Sequence, residues 1–146
     1  ELAQVANVVA VKEASGDLKQ VAKVKALVPS DFLIYSGDDN LTLDFLKLGC
    51  YGIISVASHV VGKQMQELIA AGLAGSPRAD ELQTLLAPIF KSLFITSNPV
   101  PVKAALAMLR ICGATVRLPL VEASDADLKV VRDSLESVGL LSTATR

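Results

Sequence analysis

The sequence predicts an α/β fold: three strand–helix units forming a parallel sheet or part of a βα barrel, followed by an all-helical segment. Three observations carry this. Short apolar stretches alternate with helical patterns from residue 5 to about residue 73. Those stretches lack the polar–apolar alternation of a one-sided sheet, so they read as strands buried on both faces, as in parallel sheets. From Gly75 onward strand-like runs stop and helical periodicity takes over.

The elements follow in order. Val8–Val11, Phe32–Tyr35 and Gly52–Val56 are too short for helices, rich in Val, Ile and aromatics, and bounded by turn residues. Between and after them, Leu18–Val28, Thr42–Leu48 and Val60–Leu73 carry helical patterns. Asp17 can cap the first helix, with Gln20 three residues on, and Asn40 can cap the second. Pro29 stops the first helix and Gly49 follows the second. Residues 1–74 therefore form one unit and 75–146 the other. In the second, Ser76-Pro77 opens a helix whose Leu82, Leu85, Leu86, Ile89, Phe90, Leu93 and Phe94 share one face. Pro88 within it predicts a kink or a break. Asn98-Pro99 opens the next helix, which turns Val102, Leu106, Leu109 and Cys112 inward and ends at Gly113. Ser124 with Asp127 resembles a capping box for a last helix bearing Leu128, Val131, Leu135 and Val138.

Composition narrows the function. Hydrophobic residues make up 51% of the 146 and charged residues 20%, at a mean hydropathy of +0.48. That is enough apolar material for a sizeable core and too much for a disordered chain. A net charge of −1 and a pI near 5.8 give no reason to expect nucleic acid or an anionic membrane as partner. No apolar run approaches the ~20 residues of a membrane span. The N-terminus has neither an initiator Met nor the layout of a signal peptide, and reads as the middle of a longer sequence. Cys50 and Cys112 have no metal-like spacing and read as buried thiols in a reducing cytosol.

Each strand ends in something unusual: the first at Lys12, the second at Ser36-Gly37-Asp38-Asp39, the third at Ser55 and Val56. In α/β sheets and barrels, ligands bind beyond the carboxyl ends of the strands, so all three features share the active edge. A free lysine with pKa ~10.4 is neutral about once in 2,500 molecules at pH 7, a deficit of about 4–5 kcal/mol. Burial among Val and Ile would lower that pKa and yield the free amine that attacks a carbonyl. The bland alternative is a Lys12 that snorkels to water or pairs with Glu13 or Asp17. Gly37 would let the backbone approach a ligand, with Asp38 and Asp39 orienting a substrate; an ordinary turn plus helix cap is the alternative. No His or third acid completes a metal set there, and His59, the sole histidine, reads as structural. Gly52–Val56 is core by its side chains, while its terminal carbonyls can line a pocket. Asn98–Lys103 reads as a rigid loop locking the next helix. Gly-rich phosphate loops, CxxC pairs and GxSxG elbows are absent.

VKEASGD at residue 11, YSGDD at 35, GIISV at 52, NPVPVK at 98 and RLPL at 117 together resemble the dihydrodipicolinate synthase (4-hydroxy-tetrahydrodipicolinate synthase) family. The likeness runs from Val8 to Leu141. N-acetylneuraminate lyases share the lysine strand, but the Gly-Asp-Asp and NPVPVK forms look more like the synthase. The resemblance implies a (β/α)8 TIM barrel with a C-terminal helical domain, assembled as a homotetramer in the cytoplasm. It implies that Lys12 forms a Schiff base with pyruvate, whose enamine attacks aspartate semialdehyde in lysine biosynthesis by the diaminopimelate route. It implies that Ile54 presents its backbone carbonyl to pyruvate, that Gly37 and Asp38 line the pocket wall, and that neither metal nor cofactor is needed.

A barrel of this type needs roughly 250 residues and eight strands. The resemblance therefore covers its last three βα units plus a three-helix domain. The family's paired threonines, relay tyrosine and mouth arginine have no match here. A nucleophile without those partners is expected to be inactive alone, and the chain reads as a truncated or proteolytic piece. Its unpaired sheet edges and open apolar face predict self-association. Two alternatives stand beside this reading: another pyruvate-dependent class I aldolase, such as a sialic-acid lyase, and a non-catalytic half-barrel serving assembly.

Overall fold

The computed structural model describes residues 1–142; the expected end of the second unit, residues 143–146, lies outside them. A short 3-10 turn, Leu2–Gln4, precedes β1 (Ala10–Glu13), α1 (Leu18–Leu27), β2 (Leu33–Ser36), α2 (Thr42–Lys47), β3 (Gly52–Ile53) and α3 (Ser58–Leu73). Three further helices follow: α4 (Arg78–Ser92), α5 (Val100–Met108) and α6 (Asp125–Ser137). The strands form one parallel sheet in the order β1-β2-β3.

Register sets what each face carries. Ala10 pairs with Leu33, Lys12 with Tyr35, and Tyr35 with Gly52, so these residues share one face. Val11, Glu13, Ile34, Ser36 and Ile53 share the other. The second face is covered by helices. There Val21, Ile34, Phe45 and Cys50 form a buried cluster with Val11 and Val24 packed on it. On the first face Lys12 is exposed and Leu33 and Tyr35 are only half-buried. The expected burial of both faces is thus met on one side only. Crossovers of one hand in a sheet ordered 1-2-3 place their helices on the same face, so the other needs a cover from elsewhere.

Strand ends differ from the sequence expectation. β1 starts at Ala10 rather than Val8 and takes in Lys12 and Glu13. β3 stops at Ile53 instead of Val56 because the next residues bond sideways to a carboxylate, as described below. Asp17 caps α1, accepting from the Lys19 N–H at 2.8 Å. Gln20 closes no capping box; its amide donates to Glu13 Oε1 at 2.9 Å. Asn40 does not cap α2. It sits inside a 3-10 turn, Asp39–Leu41, and its carbonyl accepts from Gln83 Nε2 at 2.7 Å. Gly49 follows α2 at φ 76°, a left-handed turn that glycine takes without steric cost.

The larger core ties the strand–helix part to the helical part. Leu43 of α2 and Val61, Met65 and Leu68 of α3 pack with Leu82, Leu86, Ile89 and Phe90 of α4, Val102 of α5, and Val131 and Leu135 of α6. Helix α4 runs through Pro88 without the expected break, since burial on either side of the proline holds the turn. Leu85 and Phe94 are exposed, not inward: Leu85 sits at the margin of the buried stripe and Phe94 lies past the helix end. Helix α5 ends at Met108, short of Gly113, and Arg110 takes φ 59°. Cys112 therefore lies in the following loop and is exposed, contrary to the expectation that it turns inward; Cys50 is buried. The Ser124–Asp127 capping box forms, the Asp127 N–H reaching Ser124 Oγ at 3.2 Å and the Ser124 N–H reaching Asp127 Oδ2 at 3.3 Å. Among the described residues, no helix is long and apolar enough to cross a membrane.

Candidate active site

All three strands end at one edge, and the features singled out in the sequence meet there. The Gly37 N–H donates to Glu13 O at 2.7 Å, drawing the turn after β2 across the end of β1. A Cβ at Gly37 would collide with Ala14 Cβ and stand 2.9 Å from Lys12 Cε. The missing side chain is what allows the Lys12 stem to lie against that turn. Gly37 is thus packed against the stem of the candidate nucleophile.

Lys12 itself is exposed, which corrects the expectation of an amine buried among Val and Ile. Its face of the sheet is the uncovered one, and Val11, together with its partner Ile34 on β2, points to the other side. The pairing with Glu13 or Asp17 is not formed either: among the described residues, no ion pair involves Lys12. Glu13 turns to the helix side, where Oε1 accepts from the Ser15 N–H at 3.1 Å and from Gln20, and Oε2 is buried without a partner.

The two acids of the turn part company. Asp38 is half-buried, its backbone held by Ser36, whose Oγ donates to Asp38 O at 3.0 Å and accepts from the Asp38 N–H at 3.1 Å. Asp39 is 1% exposed and points into the protein. Its Oδ1 accepts from the Ser55 hydroxyl, and its Oδ2 from the N–H groups of Val56 at 3.1 Å and Ala57 at 2.9 Å. Ile54, directly before this latch, donates its N–H to Ser36 O at 2.9 Å and is 50% exposed. The sequence offered Asp39 as a substrate-orienting carboxylate or as part of a turn and cap; it is instead buried on N–H groups that lie far along the chain.

A cavity of about 700 Å³ lies between Asp38, Asn40 and α4, lined also by Gln83, Lys91 and Phe94. Lys12 does not line it. His59 is exposed in the first turn of α3. Among the described residues, no group of three or more His, Cys, Asp or Glu side chains could hold a metal. Burial raises the Cys50 thiol pKa, with Lys25 opposing and Glu13 reinforcing the shift.

The sequence profile of the Dihydrodipicolinate synthetase family matches residues 1–138. The chain belongs to this family. It is 52% identical over 138 residues to the 4-hydroxy-tetrahydrodipicolinate synthase of Desulforamulus reducens, covering 94% of this chain and 47% of that enzyme. Among solved dihydrodipicolinate synthases, that of Thermotoga maritima superposes with a TM-score of 0.93 at 40% identity, over 96% of this chain and 49% of the other. The chloride-inhibited enzyme of Acinetobacter baumannii, complexed with pyruvate, gives 0.91 at 31% identity, over 96% and 48%. The chain spans about half the length of the synthases it matches.

Proposed function

We propose that this chain is the lysine-bearing half of a 4-hydroxy-tetrahydrodipicolinate synthase, the last three βα units of its barrel with the C-terminal helical domain. The observation that supports it is one sheet edge holding Lys12, Gly37 packed on Lys12 Cε, and Ile54 at the end of β3. The neutral amine of Lys12 adds to the ketone carbon of pyruvate, and loss of water leaves an imine. A proton lost from the pyruvate methyl gives the enamine, whose terminal carbon bonds to the aldehyde carbon of aspartate semialdehyde. The amine of that substrate then displaces Lys12 from the former ketone carbon, closing the ring and freeing the lysine. Ile54 offers its carbonyl oxygen to the bound pyruvate, and Gly37 and Asp38 border the pocket.

The remaining strands would cover the face on which Lys12 stands, supplying the apolar surroundings that lower its pKa. They would also bring the groups that grip the carboxylate and move protons. Alone, the chain has the nucleophile but not its setting, and it is inactive. The test is pyruvate with borohydride, followed by peptide mass spectrometry, on this chain co-expressed with the N-terminal half of the D. reducens enzyme. A reduced pyruvyl adduct on Lys12, lost in Lys12→Arg, is the expected result; an assembled barrel without an adduct on Lys12 overturns it.

A further inference from the structure

We infer that Asp39 is a positioning residue for this reaction, holding the Ile54 carbonyl at the pyruvate site through a latch on the three residues that follow it. The inference rests on the reading above, in which Ile54 faces pyruvate.

The geometry is specific. A strand end normally frays into a loop, yet Ile54 is pinned on both sides. Before its Cα, its N–H donates to Ser36 O at 2.9 Å. After it, the carboxylate of Asp39 takes the Ser55 hydroxyl and the N–H groups of Val56 and Ala57. Ser55 passes the restraint on, its Oγ accepting from the Ser58 N–H at 2.8 Å at the start of α3. The Asp39 backbone is tied in turn, its carbonyl accepting from Thr42 Oγ1 at 2.7 Å. The peptide between Ile54 and Ser55 carries the carbonyl in question, and both of its flanks are bonded to β2 or to the turn after it.

A buried carboxylate that accepts three bonds satisfies N–H groups that would otherwise be orphaned, and it does so with rigid geometry. Misplacing a group that positions a bound substrate by about 1 Å can cost on the order of 100-fold in rate. Asp39 touches no substrate in this arrangement; it acts through Ser55, Val56 and Ala57.

The test uses the co-expressed barrel and the rate of borohydride-trapped pyruvyl adduct on Lys12. Asp39→Asn keeps the size but loses the charge and turns one acceptor into a donor; about a 10- to 100-fold slower trapping is expected. Ser134→Ala, which breaks a buried hydroxyl pair with Ser92 between α4 and α6, is the stability control. It should lower the Tm and leave trapping unchanged. Ser55→Ala removes one arm of the latch and should slow trapping several-fold, with Ser55→Thr restoring it, which keeps the question answerable if Asp39→Asn fails to fold. Unchanged trapping in folded Asp39→Asn, or in Ser55→Ala should Asp39→Asn not fold, overturns the inference while leaving the role of Lys12 intact. A parent barrel that traps no pyruvate overturns both.

Discussion

At the scale of single residues, Gly37 shows how much depends on an absent side chain. Gly37→Ala would set a methyl against Ala14 and the Lys12 stem. Overpacking of this kind costs about 1–3 kcal/mol. The displaced lysine should also slow pyruvate trapping in the assembled barrel by more than that loss of stability explains, measured well below the Tm. The two cysteines give a second residue-scale prediction. Iodoacetamide should label exposed Cys112 and spare buried Cys50 in the folded chain, read by peptide mass spectrometry. Because folding raises the Cys50 pKa, the folded state favours the protonated thiol. Its contribution is fully present below the ordinary value of 9.0 and is lost as pH rises from there through the higher folded value. Denaturant titrations should therefore show a steeper alkaline loss of stability with Cys50 than with Cys50→Ala.

At the scale of elements, strands and helices were legible in the sequence where the signal was local. Apolar runs gave the three strands, and Ser124 with Asp127 gave the capping box of α6. Ser124→Ala should cost about 1 kcal/mol, measured by urea unfolding. Leu135, fully buried on the same helix, should cost about 2–5 kcal/mol as Leu135→Ala. What the sequence hid was non-local. The carboxylate of Asp39 bonds to residues 16 to 18 positions away, and no spacing rule links an acid after one strand to N–H groups after the next. The same bonds end β3 after two residues, where Val and Ile alone predicted a longer strand. The sheet edge that Lys12, Gly37, Asp38 and Ile54 share was legible from the strand ends. The exposure of Lys12 was not, because burial belongs to whatever covers a sheet rather than to the strand that carries the residue.

At the scale of the whole molecule, the uncovered face governs behaviour. Ile54 at 50% and Tyr51 at 56% exposure, one after β3 and one before it, leave apolar surface uncovered. Alone, the chain should sediment as an associated species and bind an apolar dye; co-expression with the other half of the barrel should remove both effects. A dye-silent monomer would count against this. Equally telling is where the molecule is not divided. The core running from Leu43 and Met65 to Leu86 and Leu135 ignores the change from strand–helix units to helices alone. A protease that cut at Gly75-Ser76 would therefore release nothing: the two products should leave a sizing column together and part only in denaturant. Such a molecule has open sheet edges at β1 and β3, but no seam within.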